Sequence, residues 1–435
     1  MSNKRLSFAN FPIPFDHPYT LPTLITTVTV SAIAYYSLQA SYNAEMIDAL
    51  RKQQMKKRKR MNRPEDRYAS LQIEATFVNP FESWQEPSWK ELLLYWIKRN
   101  WHKSFIYKKN SNKEYPVDQP DFDQIFPKDM INNSWVDADD KNTKKNTTFT
   151  WLGQSTCLVT LDDVTILTDP IFDGTPNTKK RISSSPCSLS DIQQHIDIVL
   201  ISHDHADHLD KQVAHQLGNS VTWYVPLGLR DWFTKQNIDN VIEMDWWQEI
   251  RHKERPEIII ACVPTMHSSG GWVFNRNQSL WCGFVIKNQH ESFLFCGASG
   301  YDKDLFRAIG KIYSPLTLAA LPIGGYKPKN IFRALNMDPT ETIRAHHDLR
   351  LPHLTVGIHW GTLNSEEPFM EPSRILEKNL IRDNIFTTLS STPSSSPSSS
   401  SSTLLVNPEI DTNNSSNGTS SSCITSPLGK SIFVT

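Results

Sequence analysis

From residue 147 onward, apolar positions recur in short runs whose spacing switches between two residues and three to four. The runs at 148–152, 157–161 and 164–167 are rich in β-branched and aromatic residues and are separated by turn residues, which predicts short strands. Further strand-like runs fall at 196–201, 222–225, 258–263, 280–286, 293–295 and 316–321. Helical spacing interleaves at 189–195, 210–217 (closed by Gly218), 229–236, 303–309 and 339–349. Strands that first cluster and then alternate with helices fit an α+β domain, two sheets between helical layers.

The two ends read differently. Residues 18–44 carry no charge, and 24–38 is mostly Leu, Ile, Val, Ala and Tyr with Thr and Ser interspersed. A span needs ~20 predominantly apolar residues, so this segment predicts one membrane-anchoring helix. The basic run from Arg51 through Lys56-Lys57-Arg58-Lys59-Arg60 to Arg63 follows directly and suits an anionic lipid surface. Trp89, Leu92, Leu93 and Trp96 fall at helical spacing, and docking onto the domain core is the expectation for their shared face, with lipid contact as the alternative. Residues 103–148 read as polar and irregular, with 141–146 as an exposed loop. Residues 390–427 are dominated by Ser and are expected to be disordered, because they bury too little apolar surface to offset ordering entropy. A last strand is expected at 431–435. The implied divisions are an anchor and basic linker (1–63), an extension (64–148), a catalytic domain (149–389), a Ser-rich insertion (390–428) and a closing strand (429–435).

Composition narrows the field only slightly. A formal net charge of −1 over 435 residues creates no field that would attract nucleic acid. Cys157, Cys187, Cys262, Cys282, Cys296 and Cys423 form no CxxC pair, and several sit in apolar runs, which predicts reduced, buried thiols.

The chemistry is concentrated in His203-Asp204-His205-Ala206-Asp207-His208, directly after the apolar run at 196–201. Residues two apart on an extended segment share a side, so His203 and His205 can grip one ion, and Asp207 and His208 a second after the chain turns. Imidazole nitrogen and carboxylate oxygen suit zinc, and paired ions activate water near neutral pH. Asp169, His267 and His359 each follow a strand-like run, so their strand ends can converge on the same site.

These residues, together with several other stretches, resemble the N-acyl-phosphatidylethanolamine-hydrolysing phospholipase D family of the metallo-β-lactamase superfamily, its fungal membrane-bound type. The resemblance runs from Phe77-Val78-Asn79-Pro80 to about Phe386 and resumes at the last residues. It includes Leu167-Thr168-Asp169-Pro170-Ile171-Phe172, Ser185-Pro186-Cys187 and Asp245-Trp246-Trp247. It continues through Pro322-Ile323-Gly324-Gly325-Tyr326 and Ile358-His359-Trp360-Gly361-Thr362. It implies an αββα metallo-β-lactamase sandwich with an N-terminal anchor. Two zinc ions are implied, one on His203, His205 and His267 and the other on Asp207, His208 and His359. Asp207 and Asp169 are the carboxylates implied in catalysis, Asp169 by orienting a ligand. The implied reaction cleaves N-acyl-phosphatidylethanolamine to N-acylethanolamine and phosphatidic acid. The implied setting is the mitochondrial inner membrane, with a membrane phospholipid as substrate and a homodimer within the family's range.

One position departs from the pattern. Family members carry Gly-Asp-Thr-Gly-Tyr where this chain reads Gly297-Ala298-Ser299-Gly300-Tyr301, so the carboxylate expected to bridge the two ions is absent. A weak or inactive lipid-binding relative, or another hydrolase of the fold, are the alternatives this leaves. One or two ions are expected.

Overall fold

The computed structural model describes residues 18–88, 90–99, 117–126, 147–172, 181–271, 275–363, 365–382, 404–405 and 421–434. Trp89, residues 141–146 and most of the Ser-rich block lie outside them. Contacts divide the chain into Met1–Lys56 and Lys57–Thr435. In the first unit the helix Thr20–Arg58 dominates, 39 residues long and with an 18-residue apolar window that is wholly unburied. Its length and composition suffice to cross a membrane.

In the second unit a small hairpin, β1 (Gln72–Ile73) and β2 (Thr76–Phe77), comes first. Then follow β3 (Thr147–Gly153), β4 (Thr156–Leu161), β5 (Val164–Thr168), β6 (Ile198–Leu200), β7 (Thr222–Pro226) and β8 (Val241–Met244). Next come β9 (Glu249–Arg251), β10 (Ile259–Val263), β11 (Gly283–Lys287), β12 (Ser292–Phe295), β13 (Leu318–Pro322) and β14 (Leu354–Ile358). The chain closes with β15 (Leu404–Leu405), β16 (Ser422–Thr425) and β17 (Ser431–Val434). One sheet has the order β15-β17-β3-β4-β5-β6-β7-β8 and the other β16-β14-β13-β12-β11-β10-β9.

The central strands are buried on both faces, and their period of two sorts side chains between two cores. Phe149, Trp151, Val159, Ile166, Ile198 and Leu200 point into the space between the sheets, where they meet Ile260, Phe284, Phe293 and Phe295 of the other sheet. Leu152, Leu158, Leu167, Val199 and Ile201 point the opposite way, onto Leu189 and Ile192 of Leu189–Ile192 and Val213 and Leu217 of Lys211–Leu217. Helices Lys303–Tyr313, Pro339–Asp348 and Glu371–Arg382 pack on one another, and the latter two reach β13, β14 and β16. The result is the αββα layering of the metallo-β-lactamase fold.

Two expectations need correction. Residues 422–425, inside the block read as disordered, form β16 parallel to β14, because Cys423 is buried and the strand covers an otherwise open edge of β14. The helix containing residues 90–99 docks by Tyr95 on Phe332 (ring centroids 5.5 Å apart), yet Leu93 and Trp96 stay 46% and 63% exposed. Their face is therefore not the one that meets the core. The six cysteines are free and buried, and burial pushes the Cys157 and Cys282 thiols far up.

Candidate metal centre

Ends of strands from both sheets bring the candidate residues to one edge of the sandwich. Asp169 follows β5, His203 follows β6, His267 follows β10, and His359 follows β14. Donor atoms of His203, His205 and His267 lie within 4.8 Å of one another, and so do those of Asp207, His208 and His359. Asp169, His203 and His208 form a third such group through the residues the first two share.

Hydrogen bonds fix the tautomer of three of the imidazoles. Ser202 Oγ donates its one proton to Asp169 Oδ2 at 2.5 Å, so it accepts from His203 Nδ1 at 2.9 Å. His208 Nδ1 donates to the same carboxylate oxygen at 2.6 Å, and His267 Nδ1 donates to Leu335 O at 2.8 Å. The Nε2 lone pairs are left to converge. His203 Nε2 lies 2.8 Å from His205 Nδ1 and 3.2 Å from His267 Nε2, while His208 Nε2 lies 3.2 Å from His359 Nε2. Ring nitrogens that converge at these distances fit a divalent cation between them. Burial, reinforced by the neighbouring imidazoles, holds His203 and His267 well below the usual histidine range, so both are neutral donors near pH 7.

Asp169 is fully buried and holds this arrangement from behind, with Oδ1 also accepting the Ser202 N–H at 2.7 Å. Burial pushes its carboxyl up, and the bonds from His208 and Ser202 oppose that shift. Asp169 (φ +35°) and His359 (φ +63°) both adopt left-handed backbone. Such strain costs about 1–3 kcal/mol per residue and collects at functional sites. Tight surroundings impose it. The His359 N–H donates to Gln154 O at 2.7 Å, and Trp360 stacks on Trp151.

Reasoning from the sequence missed Gln154, in the turn between β3 and β4. Its Nε2 lies 3.1 Å from Asp207 Oδ2 and 2.9 Å from His359 Nε2, on the donor atoms of the second group. No motif marks a Gln in a β-turn. Asn79, which ties the His267 loop through His267 O at 2.8 Å, stood only within a family stretch.

Ala298 sits at the same edge, since Gly297 (φ +62°) packs so tightly on Ser202 that a Cβ there would stand 2.5 Å from Ser202 Cβ. Neither nearby polar residue replaces the missing carboxylate. Ser299 Oγ accepts from Met266 N and donates to Gly300 O, while Asp302 caps the helix Lys303–Tyr313 and accepts from Ser83.

A cavity of 660 Å³ opens beside the donors, bordered by His205, Asp207, His208, His267 and His359. Leu92, Tyr95 and Phe332 add apolar wall, and Arg99, Arg276 and Lys327 add positive charge.

Comparison with known proteins agrees with this architecture. The beta-lactamase superfamily domain matches residues 164–360. The N-acyl-phosphatidylethanolamine-hydrolyzing phospholipase D 1 of Caenorhabditis elegans is 31% identical over 305 residues, 65% of this chain and 84% of that protein. The mitochondrial enzyme of the same name from Saccharomyces cerevisiae is 37% identical over 238 residues, which cover 52% of this chain and half (50%) of the yeast protein. Among solved structures, a metallo hydrolase from Ignicoccus hospitalis is 22% identical, with a TM-score of 0.41 over 54% of this chain and 91% of that one. At that identity to most of the worm protein, the chain belongs to the N-acyl-phosphatidylethanolamine-hydrolysing phospholipase D family and is a metallo-β-lactamase-type hydrolase.

Proposed function

We propose that the chain is a membrane-bound, zinc-dependent phospholipase D-type hydrolase that converts N-acyl-phosphatidylethanolamine to N-acylethanolamine and phosphatidic acid. The observation that carries this reading is the convergence of ring nitrogens, with Nδ1 of His203, His208 and His267 engaged by oxygen acceptors and their Nε2 atoms turned toward the neighbouring donors. His203, His205 and His267 would hold one zinc, and Asp207, His208 and His359 the other. Bound there, zinc supplies Lewis acidity toward phosphoryl oxygens and water activated at neutral pH.

The chain's own residues do the rest. Asp169 orients His208 directly and His203 through Ser202. Arg99, Arg276 and Lys327 complement a phosphodiester's charge, and Leu92, Tyr95 and Phe332 receive acyl chain. The exposed apolar residues Leu93, Leu94, Trp96 and Ile97 of the same helix as Leu92 suit a lipid surface beside the cavity. The helix Thr20–Arg58 serves as the anchor, and the yeast relative supports a mitochondrial membrane, which we take to be the inner one. Imaging a tagged chain with and without residues 1–63 tests this. A soluble distribution of the intact chain refutes the anchor.

Ala298 favours a second reading, a lipid-binding relative with little or no activity, because no carboxylate stands in for the expected bridge. Zinc content and N-acylethanolamine release by the purified protein, with Ala298→Asp in parallel, decide between them. Release by the native chain supports the enzyme. Release only by the variant supports the inactive relative.

A further inference from the structure

Two buried acceptor atoms in residues that line the cavity have no hydrogen-bond partner among the described residues, Glu367 Oε2 and Asn336 Oδ1. The residues are only 4% and 7% exposed. Gly325 ties them together, since its N–H donates to Glu367 Oε1 and its carbonyl accepts from Asn336 Nδ2 at 3.1 Å. Each side chain thus has one polar atom fixed and cannot turn its free oxygen toward a new partner without giving up the one it has. Gly325 also backs onto the donor set. A Cβ on it would stand 3.2 Å from His359 Cε1 and 3.4 Å from Asn336 Cγ.

Buried acceptors are rarely left unpaired, because desolvation without a hydrogen bond is costly, most of all for a carboxylate. Two such oxygens, one residue removed from His359, match a ligand that carries donors. An anionic group is excluded by the charge of Glu367. We infer that Glu367 and Asn336 form a subsite for an N–H group on the leaving-group side of the scissile phosphodiester. The inference rests on the phospholipase reading above and adds the feature by which head groups are told apart. In an N-acyl-phosphatidylethanolamine the amide nitrogen lies four single bonds from phosphorus, on the order of 5 Å. That span lets the phosphate meet the metal donors while the N–H reaches past Gly325. An amide N–H and the ammonium of an unacylated ethanolamine share this donor chemistry, and a choline head group lacks it.

The test uses the full-length, zinc-loaded protein in detergent micelles and measures phosphatidic acid release. Its substrates are short-chain N-acyl-phosphatidylethanolamine, the unacylated ethanolamine lipid, and the isostere in which an ester oxygen replaces the amide N–H. The native chain is expected to prefer the amide over the ester isostere by about tenfold to a hundredfold in kcat/KM. Glu367→Gln and Asn336→Ala should each collapse that preference, chiefly by raising KM for the amide, with zinc content and melting temperature unchanged. Turnover of the unacylated lipid equal to the amide would assign the subsite to both forms of N–H, and much slower turnover to the amide alone. Equal release from amide and ester, or a preference that survives both substitutions, overturns the subsite and leaves the phospholipase reading in place. No release from any of the lipids by zinc-loaded protein overturns both.

Discussion

The two groups of donors at the sandwich edge are built to different standards. In the first, His203 and His267 have Nδ1 anchored on Ser202 and on Leu335 O, and their Nε2 atoms face each other with His205 beside them. In the second, the Gln154 amide rests on both Asp207 Oδ2 and His359 Nε2, so an ion must displace it. Ala298, at the same edge, adds no anionic ligand. The lesson is that a complete set of ligands does not make two equal sites. Preorganisation of each nitrogen, and what already sits on its lone pair, sets the affinity.

The sharpest way to break this comparison is to remove its centre. His203→Ala takes away the nitrogen that faces both His205 and His267, and hydrolysis should fall on the order of 1000-fold with loss of the first zinc. His359→Ala should leave one tight zinc per chain by metal analysis. Equal loss of both ions in the two variants would show that the sites are not separate.

The next effect separates the metal centre from its scaffold. Burial holds the His346 imidazole at about 4, against 6.5 when unfolded, where its nitrogens meet Thr355 and Ser421. The folded state favours the neutral ring. Its contribution is therefore complete above pH 6.5 and is lost as pH falls from 6.5 to 4, by about 3 kcal/mol in all. Urea unfolding should show this slope, and His346→Asn should reduce it by that amount, leaving the part that the buried His203 and His267 contribute in the zinc-free protein. An unchanged slope would place the acid sensitivity elsewhere.

Asp169→Asn should weaken zinc binding about 10- to 100-fold, and at both groups, because one carboxylate oxygen serves both His208 and Ser202. Chelator competition reads this directly, and an effect confined to one site would assign the carboxylate to that site alone. The smallest change is the most specific. Gln154→Ala should tighten only the second site, about tenfold, by removing the hydrogen bonds an ion must displace. Calorimetric zinc titration showing weaker second-site binding would instead make Gln154 a support for Asp207 and His359.

Much of this was legible before any coordinates. The strand-like runs at 148–152, 157–161 and 164–167 coincide with β3, β4 and β5. Residues 241–244 and 249–251 went unread because β8 and β9 are short, flank polar turns and are only partly buried. For β16 the local composition misled, since Ser-rich sequence lacks β propensity and the strand exists because β14 offers it an edge. The helical spacing of Leu93 and Trp96 was sound, but spacing says which residues share a face and not what that face meets.

By itself the sequence determined the donor chemistry. Histidines and aspartates placed directly after apolar runs allow little but a polar site at strand ends, and Ala298 offers no donor atom whatever the fold does around it. Only the tertiary structure decided that Nδ1 of His203, His208 and His267 meets an oxygen, that Gln154 occupies the second group, and that Glu367 and Asn336 keep acceptors without a partner among the described residues beside the site. Several of those facts depend on hydrogen bonds between residues far apart in sequence, 205 positions for Gln154 with His359 and 42 for Gly325 with Glu367, and no local pattern encodes such partners.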